Sequence, residues 1–516
     1  MSHTRAESMH PGSAAVDGGT EGGVRPELAP HEGTDPRRWR ALVVTQFAVF
    51  MVLLDVSIVN VALPSIQRDL GVPAATAQWV VSGYALTLGL VLVPAGRLGD
   101  ALGRRPMFLI ALAAFVVTSA LTGAATSIEL LIAARLLQGI AGGMLIPQNS
   151  GLIQQLFRGA ERGRAFGLLG ATVGLATAVG PVIGGLILAL NDSPDNWRWV
   201  FYVNVPIGLV ALVLATRFVP STTRDTGRGM YLDLPSSLLL GAGIFSLLIP
   251  LVDAGNGGLN RLWWLWVVAG LLLALFYWWQ VHTVRQGRQP LLDPRLARTP
   301  GYLAGSGISL VYFIGFTGIP LVLALFLQDG LGYSPLRSGL TVTPFALGVA
   351  VSAVIAGRLV SRFGRWITVC GLITMTVGMI ATALVLRHSS GDAATWAIAG
   401  PLLVAGLGGG MVTSPNMTLT LQHVPVGMAG AAGGAVQTAQ RVGSAIGTAT
   451  LATIFYHTLL RTSHDYPLAI SDALLAACGF MLLALLMALT QLTRRRRHRP
   501  ELPTTQQWPQ PDPHHI

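Results

Sequence analysis

One pattern occurs twice in this chain, first as Gly96-Arg97-Leu98-Gly99-Asp100-Ala101-Leu102-Gly103-Arg104 and again as Gly357-Arg358-Leu359-Val360-Ser361-Arg362-Phe363-Gly364-Arg365. The first copy joins the second and third apolar runs of the sequence, and the second copy joins the tenth and eleventh. This offset of eight runs predicts a second half that begins at the ninth run and holds six. The matching first half is runs one to six, and runs seven and eight are then an inserted pair.

The chain as a whole is dominated by fourteen such apolar runs, each of about 20 residues, the length of one helical membrane crossing. Of the 516 residues, 52% are hydrophobic and only 11% are charged, with a mean hydropathy of +0.58. Soluble domains carry about 25% charged residues, so the composition predicts an all-α membrane protein. The runs lie near residues 41–63, 79–97, 107–126, 130–150, 166–188, 200–217, 235–252, 263–282, 303–327, 339–357, 367–386, 395–416, 430–456 and 470–491.

All 34 basic residues are arginine, because the chain contains no lysine. A phosphate-binding loop that ends in Gly-Lys-Ser/Thr is therefore excluded, as is Schiff-base chemistry. We expect no enzymatic activity, no metal site and no cofactor other than a coupling ion. If the chain moves a solute uphill by itself, an ion gradient must supply the energy.

The arginines are spread unevenly over the segments that join the runs. With both termini in the cytoplasm, most of them fall on the inner side, and an odd number of spans would scramble this positive-inside pattern. The basic segments are expected to face anionic lipid, which explains much of the net charge of +11 without nucleic acid. The outer side holds only Arg68, Arg198, Arg261, Arg337, Arg387 and Arg461.

These patterns predict five regions along the chain. Residues 1–40 are polar and rich in Gly and Pro, and are expected to be a disordered cytoplasmic tail. Residues 41–218 form the N-terminal six-helix half, and 302–491 form the C-terminal one. Between them, 232–283 hold the inserted pair, and 492–516 are a basic cytoplasmic tail.

Two six-helix halves with this loop resemble the major facilitator superfamily, and the fourteen-span plan resembles its drug:proton antiporter-2 family. The resemblance covers roughly residues 41–491. Its most specific element is the stretch from Gly96 to Arg105, which is similar to the superfamily's signature loop between spans 2 and 3. The resemblance implies the major facilitator fold, with two inserted helices, and transport by alternating access.

Five residues of that loop are expected to form a conformational latch: Gly96, Asp100, Gly103, Arg104 and Arg105. The glycines permit a tight turn beside neighbouring helices, and Asp100 can pair with Arg104 at i,i+4. The resemblance implies that this latch stabilises one of the two access states. The alternative is a basic loop that only sets orientation, although orientation does not need an acid. In the second copy Ser361 replaces the acid, so a latch there should be weaker.

A single acid, Asp55, lies deep within the first run, in a stretch from Leu54 to Pro64 that is similar to the family's span 1 signature. An ionised carboxylate is costly there and tends to face a cavity or a basic partner. Burial favours its protonated form, so Asp55 is a candidate for proton coupling or cation binding. A structural hydrogen bond is the alternative.

Arg135 lies within span 4, in a stretch that resembles the family motif whose arginine is linked to proton movement. Because an arginine keeps its proton, its role would be to tune the proton affinity of a carboxylate, with Asp55 as the candidate partner. The alternative is a structural hydrogen bond to backbone carbonyls. The sequence leaves the distance between the two residues open.

A cluster of small residues in span 5 matches the motif that the family's antiporters carry, which implies export. Small residues let helices approach closely, and a proline can kink a helix, so a hinge or a closely packed gate is expected. Simple helix packing is the alternative. The motif residues are Gly174, Gly180, Pro181, Gly184 and Gly185.

Four polar residues inside apolar runs are candidates for lining the substrate cavity: Asn60, Gln138, Gln437 and Arg441. Arg441 either contacts an anionic group on the substrate or serves packing. The stretches 197–206 and 326–335 also resemble the family and are interpreted as interfacial anchors without a role in mechanism. We recognise no acid in the apolar runs of the second half, so a dicationic substrate would lack a second counter-charge.

The sequence thus favours a monomeric, proton-coupled exporter of small amphiphilic organic compounds, such as drugs or antibiotics, in a bacterial inner membrane. Two alternatives stay open. An uptake carrier for a nutrient or siderophore conflicts with the span 5 motif. A receptor or sensor with a transporter-like fold would need a folded signalling domain, which neither tail resembles.

Overall fold

The computed structural model describes residues 37–189, 193–220, 233–253, 257–288, 290–388 and 392–497. Helices make up nearly all of this part of the chain. Most of the two predicted tails, 1–40 and 492–516, lies outside the described residues. The expected disorder and lipid contacts of those tails therefore stay predictions.

Fourteen longer helices within the described ranges follow the order of the apolar runs. They are α1 (Arg38–Leu70), α2 (Ala74–Leu102), α3 (Arg104–Ala124), α4 (Ile128–Leu156), α5 (Gly159–Ala189), α6 (Asn204–Phe218), α7 (Leu234–Val252), α8 (Trp264–Arg285), α9 (Tyr302–Leu325), α10 (Pro335–Phe363), α11 (Trp366–His388), α12 (Asp392–Leu421), α13 (Ala429–Arg461) and α14 (Tyr466–Arg497). Short segments connect some of them: Pro194–Arg198, Trp199–Tyr202, Gly258–Arg261, Pro294–Arg298, Phe326–Gly330 and Val426–Met428.

Twelve helices of the described part are long and apolar enough to cross a membrane. The other two are α7 and α13. The apolar part of α7 is the shorter segment Pro235–Leu251. Helix α13 has 33 residues, but Gln437, Gln440 and Arg441 interrupt a sequence rich in Gly and Ala.

Local sequence explains where several helices begin and end. The Ser127 hydroxyl accepts a hydrogen bond from the Leu130 amide at 3.4 Å and starts α4. Asp233 starts α7 in the same way, accepting from the Ser236 amide at 3.2 Å. Helix α1 ends at Gly71, whose φ of 62° is the left-handed conformation that favours glycine.

The same packing pattern occurs in α1–α6 and in α9–α14. Helix α4 packs on α2 and α3, just as α12 packs on α10 and α11. Likewise α1 packs on α5 and α6, and α9 packs on α13 and α14. The two sets meet through equivalent pairs, because α2 packs against α13 and α10 packs against α5.

Glycines allow these two crossings to be close. A Cβ on Gly96 would collide with the backbone of Gly430, and one on Gly357 would collide with the backbone of Gly163. Each pair brings one helix of the repeated Gly-Arg-Leu pattern against the opposite set. The repeated pattern therefore lies at the two places where the sets are in backbone contact.

Helices α7 and α8 pack on each other, and α7 also contacts α2 and α13. Helix α8 leaves large apolar side chains exposed, with Trp263 and Trp264 at its start and Trp278 near its end. Such aromatic residues at both ends of a span are typical of a helix that faces lipid.

Candidate functional site

A buried ion pair joins α1 to α4. The Asp55 carboxylate accepts a hydrogen bond from Arg135 Nη1 at 2.5 Å, and neither side chain is exposed. The contact that the sequence left open is therefore present across 80 positions of the chain. Removing one partner of such a buried pair costs about 3–5 kcal/mol, because it leaves the other charge unpaired.

Two side-chain amides complete the surroundings of Asp55. Asn204 on α6 donates to Asp55 Oδ1 at 2.9 Å, and Gln138 on α4 donates to the same oxygen at 3.2 Å. Gln138 also donates to the Ser119 hydroxyl at 2.8 Å. Four helices therefore hold one carboxylate in a network of hydrogen bonds.

Arg135 has further contacts besides the carboxylate. Its Nε donates to the Val80 carbonyl at 2.9 Å, and its Nη1 also donates to Gln138 Oε1 at 2.8 Å. The guanidinium lies 4.1 Å from the centre of the Tyr84 ring, in a cation–π arrangement. Both contacts considered for Arg135, with a carboxylate and with a backbone carbonyl, are thus present together.

The two oxygens of the Asp55 carboxylate have different partners. Asp55 Oδ2 faces Arg135, whereas Oδ1 accepts from the two amides. Since Asp55 has no exposed surface in this conformation, exchange of a proton with water requires the helices to move. Access to this carboxylate therefore depends on the arrangement of the helices around it.

The latch residues lie together at one end of α2 and α13. Arg104 Nη2 pairs with Asp100 at 2.8 Å and donates to the Val426 carbonyl at 2.8 Å. A second nitrogen of Arg104 donates to the Gly151 carbonyl of α4. Arg105 donates to the Thr216 carbonyl of α6 at 2.6 Å.

Asp100 also caps the helix that faces it. Its two oxygens accept from the backbone amides of Gly430 and Ala431, each at 3.1 Å, in the first turn of α13. A carboxylate at a helix N-terminus interacts favourably with the free amides and the helix dipole. Gly103, with a φ of 98°, supplies the turn between α2 and α3. The acid therefore binds the two sets of helices to each other.

The second copy of the pattern differs. Ser361 is exposed, and Arg365 donates to the Asn416 side chain of α12 at 3.1 Å. Asn416 in turn donates to the Ser309 hydroxyl at 2.9 Å. These side-chain contacts stay within α9–α14.

The span 5 motif places α5 between α1 and α10. Gly180 faces Ser57 of α1, where a Cβ would collide, and Gly184 lies against Ile58 of the same helix. Gly174 lies against the backbone of Ala350 on α10. Small residues thus occupy two faces of one helix, which fits both a closely packed gate and simple helix packing.

The other motif residues extend these contacts. Gly185 has Leu336 of α10 at 3.7 Å from its Cβ position, and Pro181 lies against Gly339 of the same helix. Pro181 is inside α5, where it removes one backbone hydrogen bond.

The four cavity candidates separate in the structure. Asn60 is exposed, and Arg441 is partly exposed. Gln437 is buried and donates to the Ser150 hydroxyl of α4 at 2.8 Å. Gln138 is fully buried and donates to Asp55, so it belongs to the carboxylate network in this conformation, and its role in lining a cavity stays a prediction.

Sequence reasoning missed Asn204 and Tyr84. Asn204 falls in the stretch 197–206 that was interpreted as an anchor, and the structure places its side chain in hydrogen-bond contact with Asp55. An amide at the start of an apolar run was the available signal. The acid Asp472 was also overlooked in the second half; it lies in α14, is 40% exposed, and has Arg387 at 3.9 Å.

Comparisons of the sequence with a family model and with individual proteins identify the same family. Residues 46–229 and 234–448 match the family model described as Major Facilitator Superfamily. The chain is 35% identical over 446 residues to the probable actinorhodin transporter of Streptomyces coelicolor, covering 83% of this chain and 76% of that protein. It is 38% identical over 434 residues to the puromycin resistance protein pur8 of Streptomyces alboniger, covering 83% and 84%.

Among solved structures, the proton:xylose symporter XylE superposes with a TM-score of 0.62 over 89% of this chain and 96% of that one. At 16% sequence identity, this likeness concerns the fold alone.

Proposed function

The chain belongs to the Major Facilitator Superfamily of membrane transporters, and we propose that it exports amphiphilic organic compounds, such as drugs or antibiotics, in exchange for protons. The names of the two Streptomyces relatives, an antibiotic transporter and an antibiotic resistance protein, support export of this substrate class. The family and fold are those of transporters, not of enzymes.

The observation that carries the proton coupling is the sealed Asp55–Arg135 pair. A carboxylate without exposed surface must wait for a conformational change before it exchanges its proton. If one access state exposes Asp55 to the outside and the other to the cytoplasm, each cycle carries a proton inward. Asn204 and Gln138 would hold the carboxylate in position, and Arg135 would act with it in proton coupling as its ion-pair partner.

The arginine distribution supports a topology in which both termini and the latch face the cytoplasm. The described conformation is then closed on the cytoplasmic side, because Asp100 caps α13 there. Breaking this cap would accompany opening to the cytoplasm. The span 5 contacts of α5 with α1 and α10 would serve as the gate.

For the architecture we propose fourteen crossings, as in the drug:proton antiporter-2 family, with α7 and α8 as an inserted pair between two six-helix halves. The packing of α7 on α8, and the repeated pattern in α1–α6 and α9–α14, support this division. The substrate cavity would lie between the halves near the midplane. The protein would act as a monomer in a bacterial inner membrane, with anionic lipid at its basic cytoplasmic segments.

The test uses everted membrane vesicles with an acidified interior and three fluorescent amphiphiles: anionic anilinonaphthalene sulfonate, neutral phenylnaphthylamine and cationic ethidium. We expect pH-driven accumulation of at least one of them, abolished by Asp55→Asn. The matched control is Asp472→Asn, which removes a partly exposed acid from α14 and should leave accumulation unchanged. Full pH-driven accumulation by Asp55→Asn would refute the coupling role, and accumulation in the opposite direction would indicate an uptake carrier.

A further inference from the structure

One cation in the middle of the bundle, Arg441, has no counter-charge in the part of the chain that the structure describes. Arg441 is in α13, and within the described residues no carboxylate pairs with it and no acceptor hydrogen-bonds to it. Arg135 and Arg104, also inside the protein, each have an acid within 2.8 Å. A guanidinium inside a membrane protein is costly to leave unpaired, and such residues commonly mark a substrate path.

Arg441 lies where two helices from opposite sets part. Helix α13 is in backbone contact with α2 at Gly430 and Gly434, and the Arg441 Cβ lies 3.8 Å from a Cβ position at Gly89 of α2. Beyond this point the glycines of α13, Gly443 and Gly447, pack on α9 instead. Arg441 therefore lies at the end of the α2–α13 contact that is farther from Asp100, and its side chain is partly exposed there.

Further groups around Arg441 suit a ligand with a polar head. The Thr438 hydroxyl, one turn earlier on α13, is buried without a hydrogen-bond partner among the described residues. Leu248 of α7 contributes an apolar side chain near the same Gly89 position.

Aromatic side chains lie at the same level on α9. Thr317 of α9 and Ser444 of α13 share a hydrogen bond of 2.9 Å, which aligns the two helices one turn from Arg441. Phe313 and Phe316 of α9, with ring centres 5.8 Å apart, are both partly exposed. Partly exposed aromatic side chains can bind the apolar body of a ligand, while a few polar groups fix its orientation.

We propose that Arg441 is the subsite for an anionic group, a carboxylate, sulfonate or phenolate, on an aromatic amphiphilic substrate. Arginine can bind such an anion through two parallel charge-assisted hydrogen bonds, and Thr438 can donate a third. The inference rests on the proposed export function and narrows its substrate class. Asp55 does not oppose an anion strongly, because its charge is already balanced by Arg135.

The experiment compares two probes that share one aromatic skeleton and differ in the anionic group: anilinonaphthalene sulfonate and phenylnaphthylamine. Their binding to the full-length protein in lipid nanodiscs is measured by equilibrium dialysis, with empty nanodiscs subtracted, and their pH-driven accumulation is measured in everted vesicles. The variants are Arg441→Gln, Arg441→Lys and, as a matched control, Arg461→Gln, which removes the exposed last arginine of the same helix.

For Arg441→Gln we expect the Kd of the sulfonate to rise by about tenfold or more, as for loss of a hydrogen bond to a charged group. Binding of the neutral probe should stay within about twofold, as for a substitution without structural damage. Arg441→Lys should be intermediate, because it keeps the charge but not the planar donor geometry, and Arg461→Gln should match the unaltered protein.

Equal losses for both probes in Arg441→Gln would show a packing role and overturn the proposal, as would unchanged sulfonate binding. If the unaltered protein exports the neutral or cationic probe but neither binds nor exports the sulfonate, the anionic subsite is refuted and the export function stands. If it exports none of the three, the export function fails and the subsite fails with it.

Discussion

The two copies of the Gly-Arg-Leu pattern share a backbone arrangement, but the first copy alone carries an acid that binds the opposite set of helices. Gly96 contacts Gly430 and Gly357 contacts Gly163 in equivalent ways. Asp100 then binds across to α13, whereas Arg365 of the second copy donates to Asn416, a residue of its own set of helices. Close backbone packing therefore occurs at both copies of the pattern, whereas a charged side chain that bridges the two sets of helices belongs to the first copy.

A difference in where the facing helices begin explains why. Helix α13 begins at Ala429, so the amides of Gly430 and Ala431 are in its first turn and lack helical partners. Helix α5 begins at Gly159, a full turn before Gly163, so the amides opposite the second copy are already bonded within the helix. An acid in place of Ser361 would therefore find no free amides to cap.

The symmetric part of the comparison predicts the largest effect. Gly96→Ala and Gly357→Ala should each reduce transport to below about a tenth, because a methyl group pressed against backbone costs about 1–3 kcal/mol in the packed state. Vesicle accumulation of an exported probe measures this. The matched control is Gly400→Ala on α12, where nothing lies within 4 Å of the added Cβ. A strong loss of transport in only one of the two alanine variants would contradict equivalent packing at the two crossings.

The asymmetric part predicts a smaller effect that depends on the copy. Asp100→Asn should lower transport by about tenfold, since hydrogen bonds to a charged group contribute about 1.5–3 kcal/mol. Spin labels placed at the ends of α2 and α13 that meet at Asp100 should also move apart, as measured by the distance between the labels. Ser361→Ala should stay near the unaltered rate, and equal losses from the two substitutions would contradict the asymmetry.

The smallest effect is expected where the second copy is given an acid. Ser361→Asp should change transport by no more than about twofold, as for other exposed substitutions. In the Asp100→Asn background it should not restore the lost activity, because α5 offers no free amides at this level. Restoration of transport by the double variant would show that charge alone makes the latch.

Much of this fold follows from the sequence in a physical way. Apolar runs of one crossing length predict helices because backbone groups in lipid must bond internally. The repeated pattern then predicts which helices correspond. Helix α13 is the least certain crossing by this criterion, because Gln437 and Arg441 lower the mean hydropathy of an otherwise long helix.

The sequence indicates which residues belong to the site, but it does not show which of them are in contact. Asp55 and Arg135 stand out because charges are rare inside apolar runs, but a pairing across 80 positions depends on how α1 packs on α4. Asn204 is an uncharged polar residue at the start of the apolar run of α6, and it was overlooked because the tryptophans before it dominate that stretch. The cap of Asp100 on α13 depends on the residue at which a distant helix begins, which sequence patterns place only within about 2–4 residues.

The central claim is that Asp55 exchanges its proton for substrate. The most direct measurement adds an exported probe to the purified protein in weakly buffered detergent solution and follows proton release with a pH-sensitive dye. The unaltered protein and Asp472→Asn should release protons on binding, and Asp55→Asn should release none. Equal proton release from Asp55→Asn would contradict the account.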